Sequence, residues 1–154
     1  MSNDKPLVGI ILGSKSDAPD FEGCKEMLEK FGVPYEFVIH SAHRNPDDVH
    51  EWAVSAESRG LRVIIAGAGK AAALGGVVAS HTPLPVIAVP MKTSDLGGMD
   101  SLLSTVQMPT GVPLACVAIN GTKNAAILAT QILGTAIPEY RDAIDAYKRE
   151  LAGA

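Results

Sequence analysis

Apolar residues come in short, nearly unbroken runs: LVGIIL (7–12), YEFVIH (35–40), RVIIA (62–66), PVIAV (85–89) and LACVAI (114–119). Each is strand-sized and rich in β-branched residues, and none alternates cleanly with polar positions. Continuous apolar character suits strands covered by helices on both faces. Between the first three runs lie stretches of helical period, residues 18–31 and 46–59, with Gly32 and Gly60 placed to close them. The pattern predicts an α/β fold, a three-layer doubly wound domain around a mainly parallel five-stranded sheet of the flavodoxin/Rossmann-like kind. In the final stretch, IPEYRDAIDAYKRELAGA, Pro138 takes the first position of an extra helix over about 137–151. Ile137, Tyr140, Ala143, Ile144 and Tyr147 give that helix an apolar face. Little of its own subunit is left for it to cover, so a neighbouring subunit is the expected partner.

Length and composition narrow the class. The chain has 154 residues, 47% hydrophobic and 19% charged, which predicts one domain over residues 1–154 with its core within about 7–133. A net charge of -4, no basic run and 5% aromatic residues offer neither a phosphate-tracking groove nor stacking platforms, so nucleic acid is not an expected partner. No apolar segment approaches the ~18 residues of a membrane span, and the first apolar run is too short for a secretory signal. No membrane partner is expected, and the expected location is the cytoplasm. Cys24 and Cys116 stand far apart without a CxxC pattern, which points away from a metal ribbon or a disulfide framework.

Ligands of doubly wound sheets bind outside the carboxyl ends of the strands, so the chemistry should lie in the loops there. These are GSKSD (13–17), SAHRNP (41–46), GAGKAAALGG (67–76), PMKTSDLGG (90–98) and NGTKN (120–124). In GSKSD, Gly13 permits a tight turn, Ser14 and Ser16 can accept a phosphate, and Asp17 can bind ribose hydroxyls. Plain helix capping by Ser16 or Asp17 is the competing reading. GAGKAA fails as a Walker loop, having Ile64 for the first glycine and Ala71 for the hydroxyl residue. A dinucleotide fingerprint matches Gly67, Gly69 and Ala72, yet it follows the third strand and no acid ends the next. The glycines fit close backbone approach to a small ligand, or helix–sheet packing alone.

His43 and Arg44 stand side by side in SAHRNP. On a strand they would point to opposite faces; on a loop both can turn to one ligand. His40, His43, Asp47 and His50 are possible metal ligands, but their spacing matches no established zinc pattern, so no metal is expected. No Ser-His-Asp order or activated Cys is signalled. What remains is one imidazole able to move a proton, with Arg44 to bind an anion, against the alternative of a solvated loop histidine.

GSKSD, SAHRNPD, VIIAGAG, HTPLPVIAVP, GMDSLLSTVQMPTGVP and KNAAILATQIL together resemble the N5-carboxyaminoimidazole ribonucleotide mutase (PurE) family, over residues 7 to about 133. The resemblance implies a three-layer α/β fold, a homo-octamer with shared active sites, and isomerisation of N5-carboxyaminoimidazole ribonucleotide to 4-carboxy-5-aminoimidazole ribonucleotide. It implies no metal or organic cofactor. It assigns the acid/base role to His43 and substrate binding to Ser14, Ser16, Asp17, Ser41 and Arg44, with Gly69, Lys70, Ala71 and Leu74 closing on the ligand. Gln107, Met108 and Pro109 would contact it from a neighbouring subunit.

Mutases of this family usually read GGAAHLPG where this chain reads GKAAALGG, so Ala73 replaces a histidine and Gly75 a proline. The related carboxylases, which use CO2 directly, also lack that histidine, but usually carry Lys after the loop histidine where this chain has Arg44. Three readings stand: mutase, direct carboxylase, or a nucleotide-binding module that has lost turnover.

Overall fold

The five apolar runs form five strands that all run parallel, β1 (Val8–Leu12), β2 (Tyr35–Ile39), β3 (Val63–Gly69), β4 (Val86–Met91) and β5 (Ala115–Cys116), in the order β2-β1-β3-β4-β5. The structure, a computed structural model, describes residues 4–153. The helices are α1 (Glu22–Lys30), α2 (Pro46–Ser55), α3 (Leu74–His81), α4 (Met99–Val106), α5 (Thr122–Gly134) and α6 (Pro138–Leu151). No helix among the described residues is long and apolar enough to cross a membrane.

Alternate strand residues face two separate cores. Val8, Ile10, Leu12, Val63, Ile65, Ile87 and Val89 pack with residues of α1, α5 and α6. Ile11, Ile64, Ala66 and Val86 pack on the other side against Val49, Trp52 and Ala53 of α2 and Leu74 and Val78 of α3. Trp52 Nε1 donates to Glu36 Oε1 at 2.8 Å, and Arg59 Nη2 reaches the same oxygen at 2.7 Å, fastening α2 to the edge strand β2. The sheet leaves no spare room beneath that indole. A methyl group on Gly9 would lie 2.6 Å from Leu61 Cδ1 and 2.8 Å from Trp52 Cζ2.

The chain turns out of both helical stretches at the expected glycines, by one device. Gly32 (φ 70°) and Gly60 (φ 100°) are left-handed. In each case the next residue's amide reaches back five residues, Val33 to Leu28 O at 2.9 Å and Leu61 to Ala56 O at 3.1 Å.

Local chemistry reshapes three expected elements. The stretch 18–31 is not one helix: residues Lys15–Phe21 form a 3-10 segment containing Pro19, and α1 begins only at Glu22. Proline lacks the amide an α-helix requires and disfavours α geometry in the residue before it. In 46–59, α2 stops at Ser55 and turns carry the chain to Gly60. There Ser55 and Ser58 hydroxyls donate to the Glu51 and Ser55 carbonyls, each at 2.8 Å, competing for backbone acceptors. The run 114–119 pairs as a strand only at Ala115–Cys116. Ala88 O, which faces β5, accepts from Val117 at 3.1 Å; two residues on, the same side of β4 presents Pro90, which has no N–H to continue the ladder.

The C-terminal helix also departs from expectation, because α6 folds back onto its own chain. Tyr140 and Ile144 are buried in the core with α5, and Tyr147 meets Phe31 edge-to-face at 5.4 Å. Lys30 pairs with Glu150 at 3.0 Å. An exposed apolar face lies instead on α4, at Met99, Leu103 and Val106, preceded by Leu96.

Replacing Gly9 by Ala should lower folding stability by about 1–3 kcal/mol, the usual cost of overpacking a filled core. Urea denaturation of the purified variant checks this, and an unchanged midpoint would show that the indole shifts freely.

Candidate active site

A cleft of about 280 Å³ opens at the carboxyl ends of the first four strands. It sits at the switch point of the sheet, where the chain turns from β1 toward β2 on one side and from β3 toward β4 on the other. Gly13, Ser14, Ser16 and Asp17 line it from the exit of β1; Ser41, Ala42, His43 and Arg44 from that of β2; and Thr93 from that of β4. The β3 exit supplies Ala68, Gly69, Lys70, Ala71, Ala73 and Leu74.

The turn after β2 aims His43 and Arg44 the same way. Ser41 Oγ accepts from the backbone amides of both, at 3.3 and 3.2 Å. Asn45 locks the turn by accepting from Ser41 N at 2.6 Å and by bonding His40 Nδ1 at 3.1 Å and Asp48 Oδ2 at 3.0 Å. With its backbone spoken for, the turn leaves the imidazole and the guanidinium exposed on the cleft wall.

After β1, Ser14 is the cap: its Oγ accepts from Ser16 N at 3.3 Å and lies 2.8 Å from Ser16 Oγ. The competing view of Ser16 or Asp17 as cap is therefore not what forms. Asp17 is buried, and its carboxyl is held above the usual carboxylate range, chiefly by burial and secondarily by the like charge of Asp20.

The loop after β3 is braced from α4. Ser104 Oγ accepts from Ala72 N at 3.0 Å and donates to Asp100 O at 2.8 Å. Lys70 takes a left-handed conformation (φ 55°), and its ammonium pairs at 2.7 Å with Asp95 of the loop after β4. Hydrogen bonding and charge within this pair raise the lysine pKa and lower that of the aspartate. Among the described residues, Thr93 Oγ1 in the lining and Asp100 Oδ1 outside it are buried without a hydrogen-bond partner.

Ser14, Ser16, Asp17, Ser41, His43, Arg44, Gly69, Lys70, Ala71 and Leu74 thus converge, though three separate strand exits supply them. Gln107, Met108 and Pro109 lie outside the lining; Met108 packs against Gly76 of α3, with Sδ 3.1 Å from where a Cβ would stand. The NGTKN loop is likewise a brace: Asn120 Oδ1 accepts from Lys92 N at 2.8 Å, and Thr122 Oγ1 donates to Asp20 O at 2.9 Å. Ala42, Ala68 and Thr93 were not singled out from sequence; their only signal was membership of an exit loop. His40, His43, Asp47 and His50 do not assemble, and His50 stacks edge-to-face on His81 at 4.5 Å. Among the described residues, no group of three or more His, Cys, Asp or Glu is placed to hold a metal ion.

Comparison with known proteins gives concordant matches. The family described as AIR carboxylase matches residues 7–153. A relative from Pyrococcus horikoshii, named N5-carboxyaminoimidazole ribonucleotide mutase, is 55% identical over 151 residues, 98% of this chain and 85% of the relative. Phosphoribosylaminoimidazole carboxylase from Schizosaccharomyces pombe is 56% identical over 144 residues, 94% of this chain but 26% of that protein. The crystal structure of Treponema denticola PurE matches with a TM-score of 0.87 at 32% identity, covering 96% of this chain and 92% of that one.

A carboxyl group buried against its own ionisation costs stability at neutral pH. Because the folded-state pKa of Asp17 is raised, its contribution is fully present below the unfolded value and is lost as pH rises through the folded one. Asp17→Asn should therefore be more stable than the parent at pH 7, with the difference closing near pH 3. Thermal melts of both proteins across that range check it.

Proposed function

The chain belongs to the AIR carboxylase family, and on that premise we propose that it is an isomerase of purine biosynthesis, converting N5-carboxyaminoimidazole ribonucleotide to 4-carboxy-5-aminoimidazole ribonucleotide. The observation that carries the reading is 55% identity over 98% of the chain to a relative of that name. The cleft suits the chemistry, since one imidazole shares its lining with the small residues Ala68, Gly69, Ala71 and Ala73.

The reaction balances with a single proton carrier. The bond between the exocyclic nitrogen and its carboxylate breaks, CO2 leaves, and protonated His43 returns a proton to the amine. The small-residue wall leaves room to hold CO2 beside the electron-rich ring carbon, which attacks it to form the new C–C bond. Neutral His43 then removes the hydrogen from that carbon and the ring regains aromaticity. An imidazole suits both transfers because it titrates near neutrality. Arg44 holds an anionic group of the substrate, Ser14, Ser16, Asp17 and Ser41 hold the ribose phosphate end, and the backbone of Gly69, Lys70 and Ala71 closes on the substrate together with Leu74. Substrates this highly charged are retained by membranes, so the cytoplasm is the setting for this reaction.

We extend the reading to a homo-octamer. The exposed α4 residues Met99, Leu103 and Val106, which lead directly into Gln107, Met108 and Pro109, support another copy of the chain as their cover. The name of the fungal relative favours a second reading, direct carboxylation of aminoimidazole ribonucleotide by CO2. It is the weaker one, because that name describes a protein of which this chain matches 26%.

Two measurements test the proposal. Supplied with the N-carboxylated ribonucleotide and labelled bicarbonate, the protein should isomerise it without bicarbonate dependence, and His43→Asn should lower kcat by about 10²–10⁴ while still binding substrate. Rapid label uptake from aminoimidazole ribonucleotide, with no conversion of the N-carboxylated compound, would make it a carboxylase; turnover of neither would leave a binding module. For the assembly, light scattering should give about eight chains for the parent and a smaller species for Leu103→Glu. A stable, active monomer of the parent chain would overturn the octamer.

A further inference from the structure

Lys70 is placed at a cost that its visible contact does not explain. A residue with a Cβ is disfavoured in the left-handed conformation that Lys70 adopts, and glycine would occupy it freely. Its ion pair with Asp95 leaves both side chains about two thirds exposed (66% and 68%), where such pairs add little to stability. The backbone beneath is fixed independently, through Ala72 N and Ser104 Oγ. A braced loop thus carries a long cationic side chain on the rim of the cleft, held among the described residues by one exposed carboxylate.

The cleft also has two cationic sides. Arg44 leaves β2 and Lys70 leaves β3, with β1 between them, so their strands stand about 10 Å apart. A ribonucleotide with its phosphate at one end and a carboxylated base at the other spans such a gap. Toward the β3 side the remaining lining is Ala68, Gly69, Ala71, Ala73 and Leu74, none of which brings a side-chain charge.

Resting on the reaction proposed above, we infer that the Lys70 ammonium is a specificity-determining group that leaves Asp95 to pair with the substrate carboxylate, the group that the uncarboxylated nucleotide lacks. Asp95 pairs with the cation at the rim of the cleft and competes with the ligand for it.

The test compares dissociation constants of 4-carboxy-5-aminoimidazole ribonucleotide and aminoimidazole ribonucleotide by calorimetry for the parent, Lys70→Gly, Lys70→Arg and Asp95→Asn. Glycine accepts φ 55° without strain, so Lys70→Gly should melt no lower than the parent. It should bind the carboxylated nucleotide about tenfold more weakly, the loss of one partly solvated charge-assisted bond, and the uncarboxylated one within about twofold of the parent. Lys70→Arg should restore the preference, and Asp95→Asn should sharpen it. Equal weakening of both ligands in Lys70→Gly would assign the ammonium to the phosphate, and an unchanged preference would leave it a surface ion pair; either result overturns the inference while the proposed reaction stands. If the parent binds neither nucleotide, the reaction and the inference fall together.

Discussion

Burial of a parallel sheet on both faces is the constraint on which this structure depends. Parallel neighbours cannot be joined by hairpins, so each strand returns through a covered crossover and all of them leave the sheet at one edge. Two cores, one under α1, α5 and α6 and the other under α2 and α3, hold the sheet between them. Residues as distant in the chain as Ser14, His43, Lys70 and Thr93 then meet in one cleft without any element dedicated to bringing them there.

Polar groups are matched in some places and left costly in others. In the framework Glu36 serves both Trp52 and Arg59, Ser101 donates to Met91 O at 2.8 Å, and Thr130 to Ala126 O at 2.8 Å. Inside the cleft, Asp17 is buried against its charge, Lys70 is left-handed and Thr93 Oγ1 has no partner. An unpartnered buried hydroxyl alone costs about 1–3 kcal/mol. Such features are not confined to the cleft, since Asn120 is also left-handed and, among the described residues, Asp100 Oδ1 is also buried without a partner.

The bracing of the cleft comes from elements that do not line it. Ser104 of α4 holds the loop after β3, Asn120 holds the loop after β4, and Thr122 holds the 3-10 segment after β1 through Asp20 O. The NGTKN loop thus contributes to the site by its hydrogen bonds to neighbouring loops, with no side chain in the lining. The motif after α4 behaves similarly within one chain, Met108 packing on Gly76.

The sequence alone shows where the first four strands run, where α1 stops and on which side of the sheet to look for chemistry. Those are local properties: continuous apolar runs mark covered strands, and glycine alone adopts the left-handed stop freely. Proline effects were equally local in cause, yet they were legible only in part. Pro19 breaks its helix from within, whereas Pro90 ends a strand that belongs to another segment, visible only once β4 and β5 are paired. Only the tertiary structure decided that α6 covers its own α5, that Thr93 faces the cleft while Asn120 supports it from behind, and that Lys70 meets Asp95. Each of these depends on which strands are neighbours, and strand order is set by packing summed over both cores, a quantity no single stretch of the chain contains.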